Sequence, residues 1–90
     1  MDKLEGYSEE FKTSWAKAAL DNYAKTGTIE GGFILAVLEG DLFGAFAKAD
    51  NTNLRLLKDI VSYTYNHLPT SCYGDRDKID RWVVNHAGDD

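Results

Sequence analysis

The sequence predicts an all-α single domain, a small bundle of about four to five short helices. Three observations carry that expectation. Apolar residues recur at steps of three and four, and short polar residues that cap helices stand ahead of several periodic segments. The one apolar run with the length of a strand, Phe33-Ile34-Leu35-Ala36-Val37-Leu38, has no alternating segment elsewhere to pair with. Ninety residues, 43% hydrophobic and 28% charged, have the balance of a globular chain rather than a disordered one. At this length folding buries a little over roughly 60% of the unfolded surface, enough for one modest core.

The elements follow in order. Residues 1–7 read as a flexible arm. Ser8 can cap free amides, and Glu9 and Glu10 face the positive end of a helix dipole, so a helix is expected over about residues 9–25. Its stripe is Phe11, Trp15, Ala18, Ala19 and Tyr23, with Lys12, Lys17 and Asp21 outward. Gly27 supplies the stop, and Gly31-Gly32 breaks the period again. A short helix over about residues 33–39 and another over about 42–49 are separated by Gly40-Asp41, a stop followed by a new cap. One kinked helix would fit the same pattern. Asp50-Asn51-Thr52-Asn53 is turn chemistry, and Thr52 or Asn53 can cap a helix over about residues 54–68 that Pro69 ends. Thr70 to Gly74 reads as a loop. Asp75 then caps a last helix bearing Ile79, Trp82, Val83 and His86, which stops near Gly88 and leaves 87–90 as a flexible tail. The expected core is Trp15, Phe33, Val37, Leu42, Phe46, Leu57, Ile60, Val61 and Trp82.

Fifteen acidic against ten basic residues give a formal charge of -5, and the basic residues are scattered. That field repels nucleic-acid backbones and anionic membrane surfaces, so neither is an expected partner. Cys72 stands alone, which excludes an intrachain disulfide and points to a cytoplasmic protein. The N-terminal residues lack a signal-peptide core, and no apolar run approaches the ~20 residues of a membrane span. An aromatic content of 12% in so small a chain suggests rings buried between protomers, hence a homo-oligomer, or against a partner.

Catalytic constellations are sparse. The chain has no paired-histidine zinc motif, no CxxC, no Walker loop and no serine elbow, so no catalytic residue, metal or cofactor is expected. A hydrolase would have to assemble Asp50, His67 and Cys72. Asp50-Asn51-Thr52-Asn53 resembles the start of a calcium loop, but Leu54, Arg55 and Val61 fall where a ligand, the glycine and the closing acid belong. Two binding surfaces stay open. Lys25, Thr28, Gly31 and Gly32 form a candidate anion or nucleotide site at a glycine-rich helix start, against the plainer reading as helix joints. Asp50, Asn53, Tyr65, Asn66 and Tyr73 form a candidate partner-binding set, against the plainer reading as caps and helix-edge tyrosines.

Gly31-Gly32-Phe33, Ala36-Val37-Leu38-Glu39, Asp41-Leu42, Ala45-Phe46, Ala49-Asp50 and Asn53 recur in one spaced pattern with Ile60-Val61, Tyr63, Tyr65-Asn66, Pro69, Cys72, Gly74 and Trp82. This pattern resembles a family of small uncharacterised accessory proteins from tailed bacteriophages and prophages. In that family an aromatic, often tryptophan, stands where this chain has Tyr73, and the last helix often opens with serine and proline where this chain has Asp75-Arg76. The resemblance implies a non-catalytic accessory protein of the host-cell cytoplasm that binds and inhibits a host protein, plausibly part of an antiviral defence system. The alternative, which rests on Lys25, Thr28, Gly31 and Gly32, is a sponge that sequesters a nucleotide immune signal.

Overall fold

The computed structural model of the protein describes residues 4–87, and among these it has seven α-helices, one 3-10 turn and no strand. The helices are α1 (Glu9–Lys12), α2 (Trp15–Thr26), α3 (Gly32–Glu39), α4 (Leu42–Lys48), α5 (Asn51–Arg55), α6 (Leu57–His67) and α7 (Arg76–Ala87), with the 3-10 turn at Thr70–Cys72. Five of them have seven residues or more. The first three residues of the expected arm, and Gly88 to Asp90 of the expected tail, lie outside the described residues. Leu4 and Tyr7, from the rest of that arm, pack against the core.

The helix expected over residues 9–25 is two helices. Thr13 and Ser14 divide it because their hydroxyls compete for the backbone. The Ser14 hydroxyl donates to the Phe11 carbonyl at 2.7 Å, and its oxygen accepts from the Lys17 amide at 3.2 Å, so one side chain closes α1 and caps α2. The break changes the phase of the stripe. Phe11, Ala16, Ala19, Leu20 and Tyr23 face inward, while Trp15, expected in the core, is 50% exposed.

The α3 and α4 helices form a hairpin. Gly40 closes α3 at φ 76°, a conformation other residues adopt only with strain. Its amide donates to the Val37 carbonyl and that of Asp41 to the Ala36 carbonyl, which satisfies two carbonyls at the helix end. Asp41 then caps α4 by accepting from the Gly44 amide at 2.9 Å. Instead of a plain turn, Asp50 caps the short helix α5 by accepting from the Asn53 amide at 2.7 Å. The expected helix over residues 54–68 is thereby shortened to α6. Pro69 and the Asp75 cap, whose carboxylate accepts from the Lys78 amide at 2.9 Å, stand where the sequence puts them.

The α2 helix packs against α3, α6 and α7, and α7 also lies on α3 and the 3-10 turn. Tyr23 of α2 knits these together. Its buried hydroxyl donates to the Cys72 carbonyl at 2.7 Å, and its own carbonyl accepts from the Trp82 indole at 3.1 Å. Where α2 meets α7, Gly27 has φ 75°, and a Cβ there would lie 2.7 Å from Cβ of His86. Phe11, Leu20, Tyr23, Ile34, Leu38, Ile60 and Ile79 fill the centre. Of the expected core, Phe33, Val37 and Ile60 are buried and Leu57 and Trp82 are partly buried, but Leu42, Phe46 and Val61 are exposed. The physical reason is thickness. The molecule measures 35 × 34 × 19 Å, so its short dimension holds about two helices of 10–12 Å diameter, and no other described element covers the side of α4 that carries Leu42, Phe43 and Phe46.

Candidate functional site

The uncovered side of the α3–α4 hairpin meets α6 in an apolar cleft. One part, about 190 Å³, lies between Val37 and Ala45 of the hairpin and Leu57 and Val61 of α6. The other part, about 210 Å³, continues past Val37 and Val61 to Thr64, Tyr65 and Tyr73. Leu42 lines the first part and also joins Phe43 and Phe46 in an exposed apolar ridge along α4, with a shallow hollow between the three side chains. Leu42 is 63%, Phe43 85%, Phe46 60% and Tyr65 72% exposed. Folded proteins rarely leave large apolar side chains clustered in water unless something covers them.

The loop before α7 shapes the far end. The Gly74 amide donates to the Leu38 carbonyl at 2.8 Å, and the Tyr73 hydroxyl donates to the Tyr65 carbonyl at 3.1 Å. The two rings thus stand at the mouth of one cleft, Tyr73 half-buried and Tyr65 in solvent.

The candidate partner residues named from sequence do not form one surface. Tyr65 and Tyr73 come together in the cleft. Asn66, one residue on from Tyr65, lines a separate polar hollow with Tyr7, Lys58, Asp59, Ser62 and His67, and its amide is tied to the Ser62 carbonyl at 2.9 Å. Adjacent positions on a helix point in different directions, which separates the pair. Asp50 is occupied as the cap of α5. The Asn53 side chain is 7% exposed, which removes it from any contact surface.

The candidate anion site is spread along the α2–α3 connection. Lys25 and Thr28 are exposed, and the Thr28 amide donates to the Thr26 hydroxyl at 3.3 Å. Gly31 is the N-cap of α3 and supplies no capping side chain, and Gly32 opens the helix. Lys48 lies across this start, its Cδ 3.3 Å from where a Cβ on Gly32 would be. Sequence reasoning omitted Lys48 because it is sixteen positions away from Gly32. It also omitted Phe43, whose exposure no periodicity reveals.

The groups a hydrolase would use are otherwise engaged. Cys72 is fully buried, and burial pushes its thiol up to about 11, the reverse of the shift that activates a nucleophile. His67 stacks on Tyr63, ring centroids 4.8 Å apart, with Tyr7 edge-on at 5.7 Å. Burial and a hydrogen bond to Asp21 raise the Tyr63 hydroxyl well above its ordinary range. Among the described residues no group of three or more His, Cys, Asp or Glu side chains could hold a metal ion, and no helix is long and apolar enough to cross a membrane. Comparison of the chain with protein-family models, with curated proteins and with solved structures finds no match.

Proposed function

We propose that this chain is a non-catalytic binding protein, an accessory product of the phage type its motifs resemble, that docks a host protein at the Tyr65–Tyr73 end of the cleft and blocks it. The observation that carries this reading is the Tyr65 ring, 72% exposed beside an apolar cleft, with its backbone carbonyl held by the Tyr73 hydroxyl. Tyrosine suits such an anchor because a large amphipathic surface is immobilised at the cost of two torsions. A host component of antiviral defence is the partner class the resemblance implies. The test is affinity capture from host extract with wild-type and Tyr65→Ala chains, followed by phage plating on that host. The expected result is one host protein retained by the wild type and lost by the variant, with lower plating when the variant replaces the wild type. Identical captured sets from both chains would overturn the reading.

A second reading, capture of a nucleotide signal, is favoured by Lys48 at the start of α3. Amides without a side-chain cap beside an ammonium suit a phosphate. Calorimetric titration with linear and cyclic nucleotides against wild-type and Lys48→Ala chains separates it from the first. Heat released by the wild type alone would favour the sponge.

A further inference from the structure

We infer that the chain pairs with a second copy of itself through α4, Phe43 of each protomer seating in the cleft of the other between Val37 and Val61. This goes beyond the docking proposal and does not depend on it.

An isologous dimer uses the same patch on both subunits, so the patch must carry a projection and a recess side by side. Here the α4 ridge of Leu42, Phe43 and Phe46 adjoins the cleft and shares Leu42 with it. The recess has the right size. Its nearer part is about 190 Å³, and an apolar cavity of about 150 Å³ accepts a benzene molecule. The area is also of the right order. At their exposures Leu42, Phe43 and Phe46 leave on the order of 400 Å² of apolar side chain in water, about half of the ~800 Å² that each partner buries in a standard interface. Val61 adds to it.

Charge points the same way. At -5 the whole molecule repels its copy, yet among the described residues that line the ridge and the nearer cleft the one charged side chain is Asp41, held to the Gly44 amide as the α4 cap. Two copies meeting on this face therefore bring few like charges together. A flat molecule with one open apolar side gains from pairing what its own core leaves unburied.

Light scattering coupled to gel filtration over a range of concentrations tests this, with far-UV circular dichroism and thermal melting as the check on folding. The wild type is expected at twice the 10.1 kDa protomer mass. Phe43→Asp on the ridge and Val61→Arg in the cleft are each expected to run at the protomer mass while keeping helix content, since both side chains are exposed in the protomer. A wild type at the protomer mass at every concentration, a trimeric mass, or a dimer that survives either substitution in folded protein would overturn the proposal.

Discussion

The Tyr73 hydroxyl donates to the backbone carbonyl of Tyr65 across 3.1 Å, binding the loop ahead of α7 to the mouth of the cleft on α6. Tyr73→Phe keeps the ring and removes the bond. The contact is exposed, so the expected loss of stability in urea unfolding is small, about 0.5–1 kcal/mol. Retention of the host partner should fall measurably in the same variant, because the loop no longer fixes the rim. Equal retention would detach the rim from recognition.

Tyr23 is expected to be far less tolerant. Tyr23→Phe leaves the Cys72 carbonyl without its donor inside the protein, at a cost of about 1–3 kcal/mol. In a domain of this size each kcal/mol lowers the melting temperature by roughly 4–8 °C. A melting temperature unchanged by the substitution would show that water reaches the carbonyl.

Gly27→Ala should also destabilise, by more than about 1 kcal/mol. Two effects add there: a left-handed backbone and a Cβ placed 2.7 Å from Cβ of His86. Melting curves of the variant and the wild type, recorded side by side, measure the sum.

Alkaline pH should destabilise the protein. Burial raises the Cys72 thiol from 9.0 to about 11, and burial, its largest cause in each, also raises the Tyr23 and Tyr63 hydroxyls. The folded state therefore holds protons that the unfolded state releases. The stabilisation is fully present below pH 9.0, the ordinary value for the thiol, and is lost as pH climbs through about 11. For the thiol the loss is on the order of 3 kcal/mol. Urea midpoints measured across that range should fall, and Cys72→Ala should flatten the lower part of the decline. In the native state Cys72 should also resist a thiol reagent that reacts promptly in denaturant.

If the nucleotide reading holds, a ligand at about 100 times its dissociation constant should stabilise the chain by about 2.7 kcal/mol. Thermal scanning against a nucleotide panel reads this directly, and Lys48→Ala should shrink the shift. A flat panel would remove the reading.

Much of the backbone plan was legible because it is written in local chemistry. Gly40-Asp41 separates α3 from α4, Pro69 follows α6 and Asp75 caps α7, each within one turn of the residue that signals it. Ser14 was missed because the stripe through Phe11, Trp15 and Ala19 passes smoothly over it, and a hydroxyl inside a periodic segment fits an outward face equally well. Leu42, Phe46 and Val61 stand outside a core that their spacing suggests, because periodicity shows which residues share a side, not whether anything lies against it. Asn53 shows the opposite error: a run of short polar residues reads as solvent-facing, although Asn53, whose amide the Asp50 cap holds, is buried. Of the candidate site, the Tyr65–Tyr73 pairing alone was within reach of the sequence. The cleft they flank joins segments far apart in the chain.

The Tyr7 hydroxyl meets the Ser62 hydroxyl at 3.1 Å across 55 positions, the Ser8 amide meets the Asp59 carboxylate across 51, and Tyr23 is bonded to Cys72 across 49. Tyr7, Ser8 and Tyr23 thus find these neighbours only after residues 59–72 have been made. The packing of α1 and α2 against α6 should therefore come late during synthesis, since these loops must close before the distant contacts form. A nascent chain truncated before α6 should remain sensitive to protease, and resistance should arrive abruptly once residues 57–72 have emerged.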